Sequence, residues 1–205
     1  RPLSLVWRIE DGEPRVEVPP DEEIEAARAV VGFRRIQLDP AASTVRLESE
    51  GMSLGMGGIG KGWAAARVGD VLRGRGVHRF LIDAGGDVLV GDGPAAGEGW
   101  RVAIAGPGGE TLTTWTVENM AVATSGDYAR FREIDGVRYS HIIDPRTGRP
   151  AAWMPSVTVR YADAASADAY ATAASVLGPD EALKFAERKP GLEVLLVLRD
   201  GTLRK

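Results

Sequence analysis

Apolar and polar residues recur along this chain in two rhythms, one near 3.6 residues and one of two. The helical rhythm is clearest in four places. Asp21–Val30 opens with three acids, which suit the partial positive charge of a helix N-terminus. Gly62–Arg73 sets Ala64, Val68, Val71 and Leu72 on one predicted face and stops at Gly74. Ala164–Leu177 is rich in alanine and ends at Gly178-Pro179, a C-terminal signal. Pro179–Arg188 then restarts with proline in its first turn. Runs of strand character fall at Thr44–Leu47, Arg79–Ile82, Val88–Val90, Arg101–Ala105, Thr113–Val117, Val137–Ile143, Ser156–Tyr161 and Glu193–Leu198. Strands gather in the middle and two helices come late, so the predicted class is α+β rather than regular βαβ alternation. Asp11–Pro20 and Gly91–Gly99 read as loops, neither long enough for an interdomain linker. Residues 1–205 are therefore expected to form a single domain.

Composition removes several kinds of chemistry. The 205 residues include no cysteine and two histidines, His78 and His141. A thiol nucleophile, a cysteine zinc site and a multi-histidine metal site are excluded, so any metal should be a hard one held by oxygen. A net charge of −4, from 25 basic and 29 acidic residues, disfavours nucleic acid and anionic membrane as partners. The longest apolar run, Val194–Leu198, is strand-sized and far below the roughly 18–20 residues of a membrane span. Arg1 is not an initiator methionine, so a processed, trimmed or partial chain is expected.

Five stretches carry candidate chemistry. Gly55-Met56-Gly57-Gly58-Ile59-Gly60-Lys61-Gly62 follows a possible strand and enters a helix. Such glycines let backbone amides approach phosphate, and Lys61 adds a mobile cation. The spacing of a P-loop is present, but Gly62 lacks the hydroxyl that would hold magnesium. Either another phosphate-binding turn or a plain glycine turn remains. Asp83-Ala84-Gly85-Gly86-Asp87 lies between two apolar strands and reads as a hairpin turn or as part of a site. Thr124-Ser125-Gly126-Asp127-Tyr128 reads as a hydroxyl-rich turn, either lining a cleft or capping its own amides. Ser125 has no nearby histidine and no nucleophile-elbow spacing, which argues against a serine hydrolase.

A strand is expected to end soon after His141, in His141-Ile142-Ile143-Asp144-Pro145-Arg146-Thr147-Gly148-Arg149-Pro150. His141 there is either a general base near an anionic substrate or a structural histidine. Asp168 and Thr172 stand four apart among alanines, so their oxygens share one helix face. That acid either faces water or is paired, and magnesium with Thr172 as second ligand would pair it.

In this order, the glycine turn, Asp83–Asp87, Thr124–Tyr128, His141–Pro145 and Ser166-Ala167-Asp168-Ala169-Tyr170-Ala171-Thr172 resemble the motifs of the ApbE family of FAD:protein FMN transferases. The resemblance covers nearly the whole chain. It implies a T-fold-like α+β core with mixed or antiparallel sheets and a few packed helices. It implies magnesium-dependent transfer of FMN from FAD to a Thr or Ser hydroxyl of an acceptor protein, with AMP leaving. His141 and Asp168 would be catalytic, and Gly58, Asp168 and Thr172 would hold magnesium. Trp7, Gly55, Gly57, Lys61, Asp83, Gly85, Gly86, Thr124, Ser125, His141, Ile142, Ile143 and Asp144 would contact the flavin nucleotide.

The resemblance further implies a location in the periplasm or on the envelope side of the inner membrane. Family members carry a further N-terminal segment with an export signal and part of the flavin site. Leu5-Val6-Trp7 resembles a short stretch on the C-terminal side of that segment, so the chain is expected to be the core without that lobe. Gly55 stands where the family has an acid or amide, and Ala66 where it tends to have aspartate, which predicts a weaker hold on FAD. A non-catalytic FAD-binding protein and an FAD pyrophosphatase are the competing readings.

Overall fold

The computed structural model describes residues 1–9, 13–127 and 130–205. In chain order these form α1 (Pro2–Trp7), α2 (Asp21–Ala29), a 3-10 turn (Phe33–Arg35), β1 (Ile36–Asp39), β2 (Thr44–Leu47) and α3 (Gly60–Gly74). Next come β3 (Leu81–Ala84), β4 (Asp87–Val90), β5 (Trp100–Ala105), β6 (Thr111–Val117), β7 (Ala121–Gly126), β8 (Phe131–Ile134) and β9 (Val137–Ser140). The chain closes with β10 (Ile143–Asp144), β11 (Arg149–Pro150), β12 (Ser156–Tyr161), α4 (Ala164–Leu177), α5 (Pro179–Glu187), β13 (Glu193–Val197) and β14 (Leu203–Arg204). The class is α+β with antiparallel sheets. The chain falls into two compact units, Arg1–Gly55 with Arg130–Ala152, and Met56–Ala129 with Trp153–Lys205.

The larger unit is built on a six-stranded antiparallel sheet in the order β14-β13-β12-β7-β4-β3. Alternation divides its residues between two cores. Leu89, Ala121, Ala123, Val157, Val159, Val194 and Leu196 pack with Ala65, Ala167, Ala171, Ala174 and Ala182 of the helices. On the other face Val90, Val122 and Leu195 meet Val102, Ile104 and Val117 of the β5–β6 hairpin. Strand β7 runs from the apolar residues through Thr124 and Ser125 to Gly126, paired along its length with β12. The expected turn at Thr124 is therefore strand, because β12 offers a hydrogen-bonding partner that local sequence does not reveal. Tyr128 lies outside the described residues.

Helix α3 corrects the predicted face. Its buried residues are Gly62, Ala65 and Gly69, whereas Val68 and Val71 are exposed. Small residues win because the neighbours come very close. A Cβ on Gly62 would sit 2.1 Å from the carbonyl oxygen of Ala164 in α4, and one on Gly69 would sit 2.9 Å from Leu89. Alanines of α4 complete the approach. Its N-terminus is closed by Asp163, whose carboxylate accepts from the Ser166 amide at 2.8 Å.

The smaller unit clusters Leu3, Trp7, Ile24 and Ala27, with Tyr139 and Ile143 packed on them. Trp7 is 1% exposed, lies 5.3 Å from Tyr139 between ring centroids, and donates its indole N–H to the Gly148 carbonyl at 2.8 Å. Gly148 has φ +73, and a Cβ there would lie 2.5 Å from Ile24. Two-residue turns join β3 to β4 through Gly85-Gly86 and β8 to β9 through Asp135-Gly136, all four at positive φ. Those are the turns that match the twist of paired strands.

The close α3–α4 contact yields a measurable expectation. Gly62→Ala should destabilise the protein by about 1–3 kcal/mol through overpacking. Gly74→Ala, where nothing lies within 4 Å of the added carbon, should be neutral or stabilising by about 0.4–1 kcal/mol. Urea unfolding of both variants checks the contrast; equal effects would show that α3 does not touch α4 at Gly62.

Candidate functional site

In the larger unit the glycine turn delivers the N-terminus of α3 onto α4. Ile59, the residue before the helix, offers no side-chain cap. The Gly62 amide instead donates to Oδ2 of Asp168 at 3.0 Å, so the acid of one helix caps another. Asp168 is 4% exposed, which removes the reading of it as a solvated acid. Thr172, one turn on, shares a hydrogen bond with the Ser125 hydroxyl at 2.9 Å. Gly58 faces it closely, since a Cβ on Gly58 would lie 3.2 Å from the Thr172 hydroxyl oxygen. The structure thus brings Gly58, Asp168, Thr172 and Ser125 together at one helix end. No strand precedes the turn over residues 52–58.

Lys61, in the first turn of α3, places Nζ 3.1 Å from Oδ2 of Asp87. Gly85 lies beneath it, with the Lys61 Cδ 3.8 Å from the position of an added Cβ. Asp83 is exposed and closes its own turn by accepting from the Gly86 amide at 2.7 Å. Thr124 donates its amide to Asp87 Oδ1 at 3.2 Å and pairs its hydroxyl with Thr158 at 2.9 Å. Gly57 has open space around it. Burial pushes the Asp87 carboxyl up from its ordinary value, with the charge of Asp168 adding to the rise and Lys61 and the Thr124 amide opposing it. Asp87 is the residue of this group that sequence reasoning left without a role. Its strand parity was the available signal: two positions before the core residue Leu89, it must point to the same side.

The smaller unit holds the remaining candidates. Strand β9 stops at Ser140, three residues short of the expected end at Ile143, and His141 follows the ladder's last pair, Phe131 with Ser140. The His141 Nδ1–H donates to the Arg130 carbonyl at 3.0 Å, since only a protonated nitrogen can satisfy that oxygen. In the neutral ring Nε2 then carries the lone pair. Ile142 is buried, its amide donating to the Ser140 hydroxyl and its carbonyl accepting from Ala151. Ile143 packs on the Trp7 cluster, so Trp7 and Ile143 sit in this unit's core. Gly55 lies against Arg1. Asp144 accepts the Arg146 amide at 2.8 Å and its guanidinium at 2.7–3.1 Å. These bonds hold its carboxyl below the ordinary value, against the effect of burial.

The ApbE family model matches residues 1–196. The chain belongs to the ApbE family. A curated relative from Vibrio cholerae serotype O1, named FAD:protein FMN transferase, is 34% identical over 203 residues, which is 97% of this chain and 60% of that protein. One of the same name from Escherichia coli K12 is 32% identical over 206 residues, covering 98% and 58%. The crystal structure of the ApbE protein from Thermotoga maritima matches with a TM-score of 0.91 at 33% identity, covering 100% of this chain and 67% of the other. The chain spans about three fifths of the length of the curated ApbE relatives it matches.

The Asp144–Arg146 bonds make an acid-side expectation for this ApbE chain. The folded state keeps Asp144 ionised to lower pH than the unfolded chain does. Its stabilisation is therefore full above the ordinary aspartate value of 3.8 and is lost as pH falls through the lower folded value. Asp144→Asn should flatten the acid limb of a stability–pH curve measured by thermal unfolding. A mutant curve parallel to wild type would disprove the assignment.

Proposed function

We propose that this chain carries the core of a magnesium-dependent FAD:protein FMN transferase. It moves FMN from FAD to a Thr or Ser hydroxyl of an acceptor protein and releases AMP. The observation that carries the reading is the buried Asp168 carboxylate at the N-terminus of α3, grouped with Thr172 and Gly58 and set in a chain of this family. Relatives bearing the transferase name support it. The donor set fits a hard divalent cation: a buried carboxylate, a hydroxyl and a main-chain carbonyl are all oxygen ligands, and magnesium keeps several waters besides. Asp168, Thr172 and the Gly58 carbonyl would hold it. Bound there, it would supply positive charge to the FAD pyrophosphate.

The chain's own residues account for the rest. Gly57 leaves the backbone open to phosphate oxygens, and Lys61 offers an ammonium from the first turn of α3. The acceptor hydroxyl oxygen bonds to the phosphorus on the FMN side as the bridging P–O bond breaks, and the bridging oxygen leaves with AMP. The family resemblance supports His141, whose Nε2 lone pair is set within its own unit by the Nδ1–H bond to Arg130, as the residue that takes the hydroxyl proton. The family resemblance supports a periplasmic or envelope-side location. No helix among the described residues is long and apolar enough to cross a membrane.

Incubation with FAD, magnesium and a Thr- or Ser-bearing acceptor tests this directly. Covalent flavin on the acceptor and an equal yield of AMP are expected. Yellow protein without AMP would replace the reading with flavin binding, and AMP with free FMN would replace it with pyrophosphatase activity. His141→Ala should bind FAD normally but release AMP about 10²–10⁴-fold more slowly. Asp168→Asn retains an oxygen for the Gly62 amide, so it should fold yet lose metal-dependent cleavage. Thr172→Val should lose less, because it removes a neutral ligand and no charge.

A further inference from the structure

Asp87 begins β4 on the side of the sheet that faces the helices, and it is 3% exposed. A carboxylate so placed is expensive unless its charge is met. Its two oxygens are used differently. Oδ1 takes the Thr124 amide of the neighbouring strand, which fixes the carboxylate to the sheet backbone. Oδ2 faces the Lys61 ammonium at 3.1 Å. The pair is therefore asymmetric. Asp87 is short, buried and anchored, whereas the Lys61 side chain is 40% exposed and hangs on four rotatable bonds. In such a pair the acid sets the position of the base.

We propose that Asp87 is a positioning residue: it holds the side chain of Lys61, in the first turn of α3, beside Gly85, ready for the phosphates of an incoming dinucleotide. The inference rests on the flavin-transfer reading of this site and adds a part to it. Lys61 meets Asp87 Oδ2 as an ion pair at 3.1 Å, an oxygen with no hydrogen-bond partner, so the N–H donors of the ammonium remain for phosphate oxygens. Ordering a long side chain before binding removes an entropic penalty that binding would otherwise carry. Asp87 itself touches no ligand in this arrangement.

Asp87→Asn is the test, because the amide oxygen can still accept from Thr124 while the charge is gone. The first measurement is acylation of lysines by a water-soluble acetylating reagent, read by mass spectrometry, with Lys189 and Lys205 as internal references. Lys61 is expected to be labelled slowly in wild type and several-fold faster in Asp87→Asn, and to stay slow in Asp87→Glu. Equal Lys61 labelling in wild type and Asp87→Asn overturns the proposal. The second is calorimetric FAD affinity in a double-mutant cycle with Lys61→Ala. Asp87→Asn should weaken binding about fivefold when Lys61 is present, the scale of one immobilised long side chain, and not at all when it is absent. Equal weakening in both backgrounds means that Asp87 acts through the fold, and overturns the proposal. If wild type binds no FAD, the flavin reading fails, while the labelling comparison still decides whether Asp87 holds Lys61. Asp87→Ser, which keeps an oxygen for the Thr124 amide, gives the same labelling comparison should the Asn variant not fold.

Discussion

The bond from the Gly62 amide to Asp168 is the constraint on which the larger unit turns. Helix α3 starts without a capping side chain of its own, so its first-turn amides need an acceptor from elsewhere. Helix α4 provides one, and the bond is possible only because backbone meets backbone at Gly62 and Ala164. That proximity requires a glycine at position 62 and suits the alanine run of α4, while Leu89 of β4 sets the same requirement at Gly69. One polar contact thereby dictates composition across two helices.

The same contact arranges charge. Asp168 and Asp87 are both buried, and burial, with the Asp168 charge adding to it, pushes the Asp87 carboxyl up. Lys61 answers one acid and the helix N-terminus answers part of the other. The helix side of the sheet thus carries two buried acids, with an ammonium and a helix N-terminus beside them. An anionic ligand there would approach donors and an ammonium, and a hard cation would approach the acid.

Local signals made much of the fold legible. Ala164–Leu177, Thr44–Leu47 and Ser156–Tyr161 match the structure residue for residue, because a glycine stop or clean β-branched content marked their ends. The turn at Gly85-Gly86 was equally clear. Elements defined by distant partners were not. Thr124 and Ser125 look like a turn until β12 pairs with them, and β1, β8 and α1 carry too little periodicity to announce themselves. Hydrophobicity favours Val68 and Val71 as the buried face of α3, whereas α4 at Gly62 and Leu89 of β4 at Gly69 leave room only for small residues. At the site, Asp168, Thr172, Lys61 and Gly58 were named from sequence and are grouped by the fold. Asp87 was not given a role, because an acid beside two glycines reads as turn chemistry until its strand is known to face inward.

The contact at Gly62 also sets where this site is stiff and where it can give. Two helices separated by ordinary side chains can slide by ångströms as rotamers change, since the interdigitated layer deforms. Here the atoms in contact are main chain, and no rotamer is available to absorb a shift. The glycine turn and the Asp168 carboxylate therefore move as one piece. From that rigid platform the Lys61 side chain reaches out like a jointed arm whose far end is tied down at Asp87.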